Sequence, residues 1–254
     1  MNNLHLINIF IFFKYDKKLF SRMQKVLFIL HQKTSVPGDI GSKFVDRGYN
    51  IEICRPPLGD KLPKNLINYS AIVVFGSPGS INDDDEFIKK EINWIKIVIE
   101  SNIPFLGICF GAQLLAKYLG SEVKTNSRGI SEIGFYKIKP TDIGKELFKF
   151  QDTFYQFHSE GFDLPTGCEL LARGDIFSNQ AFRYKNCYAL QFHPEVNLFL
   201  HIRWIYLVLL KNPKKLFVTG AQNIFTQFIL RFKYNKSISN WLDKFIDQYL
   251  LKEG

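Results

Sequence analysis

Short apolar runs alternate with amphipathic segments along the first half of this 254-residue chain. Residues 23–30, MQKVLFIL, predict a first strand, and residues 71–75, AIVVF, predict a short buried strand. The residues between them predict a loop, a helix closed by Gly48 and a second strand ending in NIEIC. The acidic run at residues 83–85 can cap a longer helix that reaches about Glu100, with an apolar face made of Phe87, Ile88, Trp94, Ile95 and Val98. Such alternation predicts a parallel, doubly wound α/β sheet, in which ligands bind beyond the carboxyl ends of the strands.

The second half of the chain is richer in strand patterns and ends in helical ones. Residues 122–139 are strand-rich, and further strands are predicted at residues 154–157, 169–172, 180–184 and 187–192. Helical patterns cover residues 198–210, 220–232 and 238–251. We therefore predict a single domain over residues 23–254, which includes C-terminal helices over about residues 198–252.

Residues 1–22 do not fit the pattern of that domain. Leu4 to Phe13 is apolar, but lysines follow this run instead of preceding it and no small-residue cleavage site comes next, which argues against a signal peptide. The run is also too short to span a bilayer. We expect residues 1–22 to be an extension upstream of a start at Met23, and an intact mass for native protein that begins at Met1 would contradict this.

Composition adds limits on compartment and partners. A hydrophobic content of 46% is enough for a full core, and no run is long enough to span a bilayer, so we expect a soluble protein with no membrane contact. The net charge of +9 would suit an acidic partner, but the lysines are scattered, which disfavours nucleic-acid binding. The four cysteines show no C-x-x-C spacing, which favours a reducing cytoplasm over a zinc site or disulfides. The acidic run lacks the spacing of a calcium loop, so no metal site is predicted.

The stretch from Ile103 to Gly120 carries the strongest chemical signal. An apolar run ends in Gly107-Ile108-Cys109-Phe110-Gly111, and a helical pattern follows. G-x-C-x-G is the cysteine form of the nucleophile elbow, a tight strand-to-helix turn that projects its central side chain outward. A helix that begins beside the sulfur favours the thiolate. A lone cysteine after a strand is more often a small buried hydrophobe, and we assign that role to Cys54, Cys168 and Cys187.

A second signal is His193-Pro194-Glu195, which follows the last predicted strand. Proline restricts the residue before it to extended geometry, and residues two apart in extended chain face the same side. Glu195 can therefore reach the His193 ring. Together with Cys109 these residues suggest a nucleophile, a base and an orienting carboxylate, provided that the fold brings them together.

Several ordered motifs resemble the class I glutamine amidotransferase family, in its free-standing GMP synthase-like branch. The motifs are GICFGAQ (107–113), FHSEGF (157–162), NQAFRY (179–184) and QFHPEV (191–196), and the resemblance extends from about Met23 to the last helix. It implies a three-layer α/β/α sandwich with a mostly parallel central sheet, flavodoxin-like in form. It also implies hydrolysis of a γ-glutamyl amide through a cysteine thioester, without a cofactor.

The resemblance assigns roles to individual residues. Cys109 is the nucleophile, His193 the general acid and base, and Glu195 the carboxylate that orients the histidine. The backbone N–H groups of Phe110 and Ser77 are the expected oxyanion donors. Gly76, Gln113 and His158 are expected at the substrate site, although Gln113 on a helix surface and His158 in the core are alternative placements. The family commonly has a second glycine where this chain has Ser77, so the donor is kept only if serine adopts the required backbone conformation.

Hydrolysis of the glutamine side-chain amide would release ammonia, and the sequence does not show which molecule accepts it. Neither S-G-G-x-D-S nor G-x-x-x-x-G-K-[ST] occurs in the 254 residues, so we expect no fused synthetase in this sequence. Three hypotheses remain: a glutaminase-type amidotransferase that delivers ammonia to a separate partner, a hydrolase of another γ-glutamyl compound such as a glutathione-like peptide, and a catalytically silent binding or regulatory subunit. The C-terminal aromatic residues favour a packing layer, with an oligomer face as the alternative.

Overall fold

The computed structural model describes residues 24–251, and twelve strands are found within that range. The expected extension at residues 1–22 lies outside it. The strands are β1 Lys25–Ile29, β2 Asn50–Cys54, β3 Tyr69–Val74, β4 Phe105–Ile108, β5 Val123–Thr125, β6 Glu132–Lys137, β7 Lys139–Pro140, β8 Thr153–His158, β9 Glu160–Phe162, β10 Glu169–Arg173, β11 Ala181–Tyr184 and β12 Cys187–Leu190. The α-helices are α1 Gly38–Asp46, α2 Glu86–Ser101, α3 Phe110–Tyr118, α4 Leu198–Lys211 and α5 Ile224–Phe245.

Eight of these strands form the central sheet, in the order β2-β1-β3-β4-β12-β11-β10-β7. The first five are parallel to one another, and the last three join antiparallel. Two antiparallel ribbons, β5 with β9 and β6 with β8, lie outside that sheet. The mostly parallel sheet predicted from the alternation of strands and helices is thus confirmed, and β4 and β12, which end at the two sequence signals, are neighbours.

Alternate residues of the central strands build two cores, one on each face of the sheet. In β1, Val26 and Phe28 belong to the core that packs against α1 and α5, whereas Leu27 and Ile29 belong to the core that packs against α2 and α3. This alternation follows from the pleat, which sends successive side chains to opposite faces. The result is the three-layer α/β/α sandwich that the motifs imply.

The C-terminal region differs in one respect from the sequence prediction. Residues 224–245 form one helix, α5, followed by a π-helical turn at Ile246–Leu250, instead of two separate helices at 220–232 and 238–251. The polar run at residues 233–237 interrupts the apolar pattern, but it contains neither glycine nor proline, so the helix continues through it. Tyr234 within that run stacks on Phe135 with ring centroids 6.0 Å apart, which gives this turn its own packing contact.

The acidic run before α2 caps the helix only in part. Asp85 is the N-cap residue, but its side chain makes no capping hydrogen bond. The Asp83 carboxylate instead accepts a hydrogen bond from the N–H of Ser80 in the preceding loop, at 2.8 Å. Within residues 24–251 no helix has the length and apolar character needed to cross a membrane.

Candidate active site

Cys109 occupies a strained turn between β4 and α3. Its φ and ψ angles are 50° and −102°, a backbone conformation that residues other than glycine rarely adopt. Its backbone N–H donates to the carbonyl of Leu190 at the end of β12, at 2.8 Å, which holds the turn to the neighbouring strand. Strain of this kind costs about 1–3 kcal/mol and is concentrated at functional sites. The elbow predicted from G-x-C-x-G therefore has the expected geometry.

The two glycines of the elbow are required by close backbone approach. A Cβ added at Gly107 would lie 2.4 Å from the carbonyl oxygen of Gly111, and one at Gly111 would lie 2.2 Å from the carbonyl oxygen of Val74 in β3. Both distances are far below contact distance. Glycine at these positions lets α3 begin directly against the sheet, and this fixes where the sulfur of Cys109 points.

His193 and Glu195 follow β12, the strand next to β4. Nδ1 of His193 lies 2.8 Å from Oε1 of Glu195, and both residues are buried. The backbone N–H of His193 donates to the carbonyl of Tyr155 in β8, at 2.8 Å. Trp204 of α4 packs edge-on against the imidazole, with ring centroids 5.0 Å apart. The ring is thus fixed by a carboxylate at one nitrogen and an indole at its side.

The charge of the His193 ring is set by its two partners. Burial alone would lower its pKa, but the negative charges of the Glu195 carboxylate and of the Cys109 thiolate beside the ring together raise the pKa of His193 to about 10. Because Nδ1 faces Glu195, Nε2 is the nitrogen left for the sulfur. The structure therefore brings Cys109, His193 and Glu195 together in the order that nucleophilic catalysis requires.

Gly76 and Ser77 follow β3 and border the same site. A Cβ at Gly76 would lie 3.0 Å from Cε1 of His193 and 3.7 Å from Cβ of Cys109, so a side chain here would crowd the His193 ring. The φ of Ser77 is not positive, because among the described residues only Asn102, Cys109 and Lys185 combine a side chain with positive φ. Ser77 thus does not need the left-handed backbone conformation that favours glycine.

Phe110 is the first residue of α3. The N–H groups of a first helical turn have no partner inside the helix, so the N–H of Phe110 is available beside the nucleophile. With the turn at Gly76 and Ser77, the expected oxyanion donors lie on the two segments that flank Cys109.

Gln113 and His158 meet at a single carbonyl group, that of Glu160. Nε2 of Gln113 donates to this oxygen at 3.0 Å, and Nδ1 of His158 does so at 2.8 Å. Nε2 of His158 lies 3.0 Å from the buried carboxylate of Glu132. Both side chains are buried, and these hydrogen bonds are to protein groups, so their expected contact with substrate stays a prediction.

The structure adds three polar residues that the sequence did not single out for this site. Gln191 accepts from Gln113 at 3.3 Å and directs its own Nε2 to the sulfur of Cys109 at 3.6 Å. His31 and Glu91 form a buried pair behind the turn at Gly76. A signal for Glu91 exists in the sequence, since it falls at helical spacing between Ile88 and Ile95 on the apolar face of α2, where an acid needs a buried partner.

The remaining cysteines differ from Cys109 in their surroundings. Cys54 and Cys187 are buried as expected of core thiols, and burial raises the pKa of each to about 12. Cys168, just before β10, is only half-buried and packs against the edge of the core that contains Cys54 and Cys187. Residues 24–251 contain no group of three or more histidine, cysteine and acidic side chains arranged to hold a metal ion.

Fold and site together define an α/β protein with a buried cysteine, histidine and glutamate at the carboxyl end of its parallel strands. The sequence profile of the family described as glutamine amidotransferase class-I matches residues 32–206, well over half of the chain. The protein therefore belongs to the class-I glutamine amidotransferase family.

Individual relatives agree with this assignment. The chain is 31% identical over 141 residues to the glutamine-hydrolysing GMP synthase of Flavobacterium psychrophilum, a match that covers 54% of this chain and 27% of that protein. It is 35% identical over 117 residues to a subunit of the glutamine-hydrolysing GMP synthase of Methanocaldococcus jannaschii, covering 43% of this chain and 60% of that one. A glutamine amidotransferase from Thermotoga maritima superposes with a TM-score of 0.80 at 28% identity, over 90% of this chain and 98% of its own. The chain matches only about a quarter of the length of the Flavobacterium psychrophilum enzyme.

Proposed function

We propose that this protein hydrolyses glutamine to glutamate and ammonia through a thioester on Cys109, and that it passes the ammonia to a separate synthetase. The observation that carries the proposal is that Cys109 lies at a strained elbow and shares the space beside Gly76 with the ring of His193, whose Nδ1 lies 2.8 Å from Glu195. Membership of the amidotransferase family supports glutamine as the substrate.

In the first half-reaction the Cys109 thiolate attacks the side-chain amide carbon of glutamine. The carbonyl oxygen becomes an oxyanion, which accepts hydrogen bonds from the N–H groups of Ser77 and Phe110. His193, protonated because Glu195 and Cys109 raise its pKa, gives its proton to the leaving nitrogen. Ammonia departs, and the glutamyl group remains as a thioester on the sulfur.

In the second half-reaction water replaces ammonia. The neutral His193 ring takes a proton from water as the water oxygen attacks the thioester carbon, and the same donors hold the second oxyanion. Collapse of this intermediate releases glutamate and restores the Cys109 thiolate beside a protonated ring. Glu195 keeps the imidazole oriented through both steps.

A separate ammonia acceptor is supported by the comparisons. The chain matches a protein that is named as one subunit of a glutamine-hydrolysing GMP synthase. We propose that the acceptor is a synthetase on another polypeptide, and that both act in the cytoplasm, where a reducing environment keeps Cys109 as a free thiol.

The direct test is turnover by purified protein with glutamine and with γ-glutamyl peptides. Released ammonia or amine is measured for the wild type, for Cys109→Ala, and for Cys168→Ala as a matched cysteine control outside the site. We expect Cys109→Ala to lose at least about 10⁴-fold in glutamine hydrolysis, because the nucleophile is removed, and Cys168→Ala to retain it.

The other outcomes of this test are also informative. Equal background rates for the wild type and Cys109→Ala, alone and with added cell extract, would contradict an enzymatic function and favour a binding role. Turnover of peptides without turnover of glutamine would make the protein a γ-glutamyl peptide hydrolase. Glutamine hydrolysis that needs cell extract would show that the missing component is a partner.

A further inference from the structure

The His31 imidazole lies behind the turn at Gly76 and is buried at the end of β1. Nδ1 of His31 lies 3.1 Å from the carbonyl oxygen of Gly76, and Nε2 lies 3.0 Å from Oε2 of Glu91 in α2. The two side chains are almost fully buried, with 0% and 1% of their surfaces exposed. Because a carbonyl oxygen only accepts hydrogen bonds, Nδ1 must carry a hydrogen and donate it.

The carbonyl of Gly76 belongs to the same peptide unit as the N–H of Ser77. This unit is trans, because the described residues contain no cis peptide. In a planar trans peptide the C=O and N–H bonds point in opposite directions. A hydrogen bond that holds the Gly76 oxygen on one side therefore holds the Ser77 N–H on the other. That N–H donates to no other group in the described part of the chain.

The same imidazole also contacts the residue after the nucleophile. The rings of His31 and Phe110 lie 4.7 Å apart, centroid to centroid. His31 thus touches both segments that carry the proposed oxyanion donors, through a hydrogen bond on one side and ring packing on the other. It does not reach the reacting atoms itself, since its two nitrogens are occupied by Gly76 and Glu91.

We propose that His31, held by Glu91, is a positioning residue that fixes the Gly76–Ser77 peptide so that the Ser77 N–H faces the oxyanion. This inference rests on the proposed thioester mechanism and names the device that aligns one of its two donors. Without the bond to His31, rotation of this peptide would turn the N–H away from Cys109. Glu91 holds the ring through Nε2, and this contact accounts for an acid on the apolar face of α2.

The test compares a double variant with a conservative single variant. His31→Phe with Glu91→Leu removes the pair without leaving an unpaired buried acid. We expect its kcat for glutamine to fall about 10- to 100-fold, part of the cost of losing one oxyanion donor, with KM within about twofold of the wild type. Glu91→Gln keeps a side chain that can hydrogen-bond to Nε2, so its kcat should stay within about threefold.

A second readout separates positioning from damage to the thiol or to the fold. Alkylation of Cys109 by iodoacetamide is a displacement at carbon that forms no oxyanion, so the double variant should be alkylated at the wild-type rate. Wild-type kcat in the double variant would overturn the inference. So would alkylation that falls in proportion to kcat, or a Glu91→Gln variant as slow as the double variant.

A crystal structure of the double variant decides the question independently of turnover. We expect the Gly76 carbonyl to leave its wild-type direction or to occupy two orientations. A peptide that keeps the wild-type orientation would overturn the inference even if the protein hydrolyses glutamine. Conversely, a wild type that is inactive on glutamine would contradict the proposed function, while the orientation of this peptide would still test the role of His31. If the double variant fails to fold, His31→Asn with Glu91→Gln serves in its place, because the asparagine amide can donate to Gly76 and no unpaired buried acid remains. Retained kcat in this variant supports the role of the donor, and a loss as large as 100-fold opposes it.

Discussion

Acidic and basic side chains pair at both ends of the sheet, but the two ends treat them differently. Near the carboxyl ends of the strands, histidine pairs with glutamate in His31–Glu91 and His193–Glu195, and all four side chains are at most 3% exposed. At the other end, Lys43–Asp243 joins α1 to α5 and Arg47–Asp247 joins the end of α1 to the turn after α5, with side chains that are 12–56% exposed. The contact distances overlap, so burial is what distinguishes the two sets.

The buried histidine–glutamate pairs lie where proton transfer is proposed, whereas the more exposed pairs only join two surface segments. An exposed ion pair contributes about 0.2–1 kcal/mol, because water and salt compete with it. A buried pair costs several kcal/mol in desolvation per ion, and removing one partner leaves the other uncompensated. In the proposed mechanism the pair His193–Glu195 offsets that cost, because Glu195 raises the pKa of the ring that would transfer protons. The exposed pairs carry no such task.

The largest expected effect comes from Glu195→Gln at the buried end. The amide keeps the shape of the side chain but removes one of the two negative charges that together raise the pKa of His193 to about 10. We expect kcat for glutamine to fall about 10²- to 10³-fold, because the imidazolium loses its stabilising carboxylate.

The pH dependence of the same variant gives the sign of the effect. His193 must be protonated to give its proton to ammonia, and that form prevails below its pKa, so wild-type activity should fall as the pH rises through about 10. Without the Glu195 charge, one of the two effects that counteract burial is gone, so the pKa of the His193 ring falls. The alkaline limb of kcat should therefore move toward neutral pH, which rate measurements from about pH 6 to about pH 10.5 will show. An unmoved limb would mean that Glu195 does not control the ring.

A smaller effect is expected from the buried pair His158–Glu132, whose members lie 3.0 Å apart on the β6–β8 ribbon. His158→Phe keeps the ring that packs against Phe177 but removes the nitrogen that faces the Glu132 carboxylate. We expect a loss of about 3 kcal/mol in the free energy of unfolding, at the lower end for breaking a buried pair because Gln180 still donates to Glu132. Urea unfolding measures this loss. A cost below about 1 kcal/mol would place this pair with the exposed ones.

The same variant tests the role expected for His158 at the substrate site. If His158 contacts glutamine, the KM for glutamine should rise even in the fraction of the variant that is folded. An unchanged KM in folded protein would restrict His158 to supporting the carbonyl of Glu160, the group that it shares with Gln113.

The parts of this site that the sequence predicts are those encoded locally. The elbow at Cys109 is predictable because two glycines and a following helix impose one turn, and Glu195 can be assigned to His193 because extended chain brings residues two apart to one side. The meeting of Cys109 with His193 needs β4 to lie beside β12, and the alternation of strands predicts a parallel sheet without giving this strand order.

The features that sequence reasoning misses depend on contacts between distant segments. His31 and Glu91 are 60 residues apart, and their pairing follows from α2 packing over the end of β1. The continuity of α5 is not predicted, for a local reason. A polar run interrupts its apolar pattern and suggests a break, although every residue in that run is compatible with a helix. A polar run without glycine or proline does not end a helix. A buried acid on an apolar helix face indicates that it has a partner, but the sequence does not show which residue that partner is.

The smallest effect is expected at the exposed end, in Asp247→Asn. Asp247 accepts hydrogen bonds from Nε and Nη2 of Arg47 at 2.7 and 3.0 Å, yet its side chain is 56% exposed. Its removal should change the free energy of unfolding by less than about 1 kcal/mol, and less still at about 1 M salt, since screening already weakens the pair. Glutamine turnover should be unchanged, because Arg47 and Asp247 join α1 to the turn after α5, away from the carboxyl ends of the strands. A loss of unfolding free energy equal to that of His158→Phe would show that the bidentate geometry of an ion pair contributes more to stability in this fold than its burial.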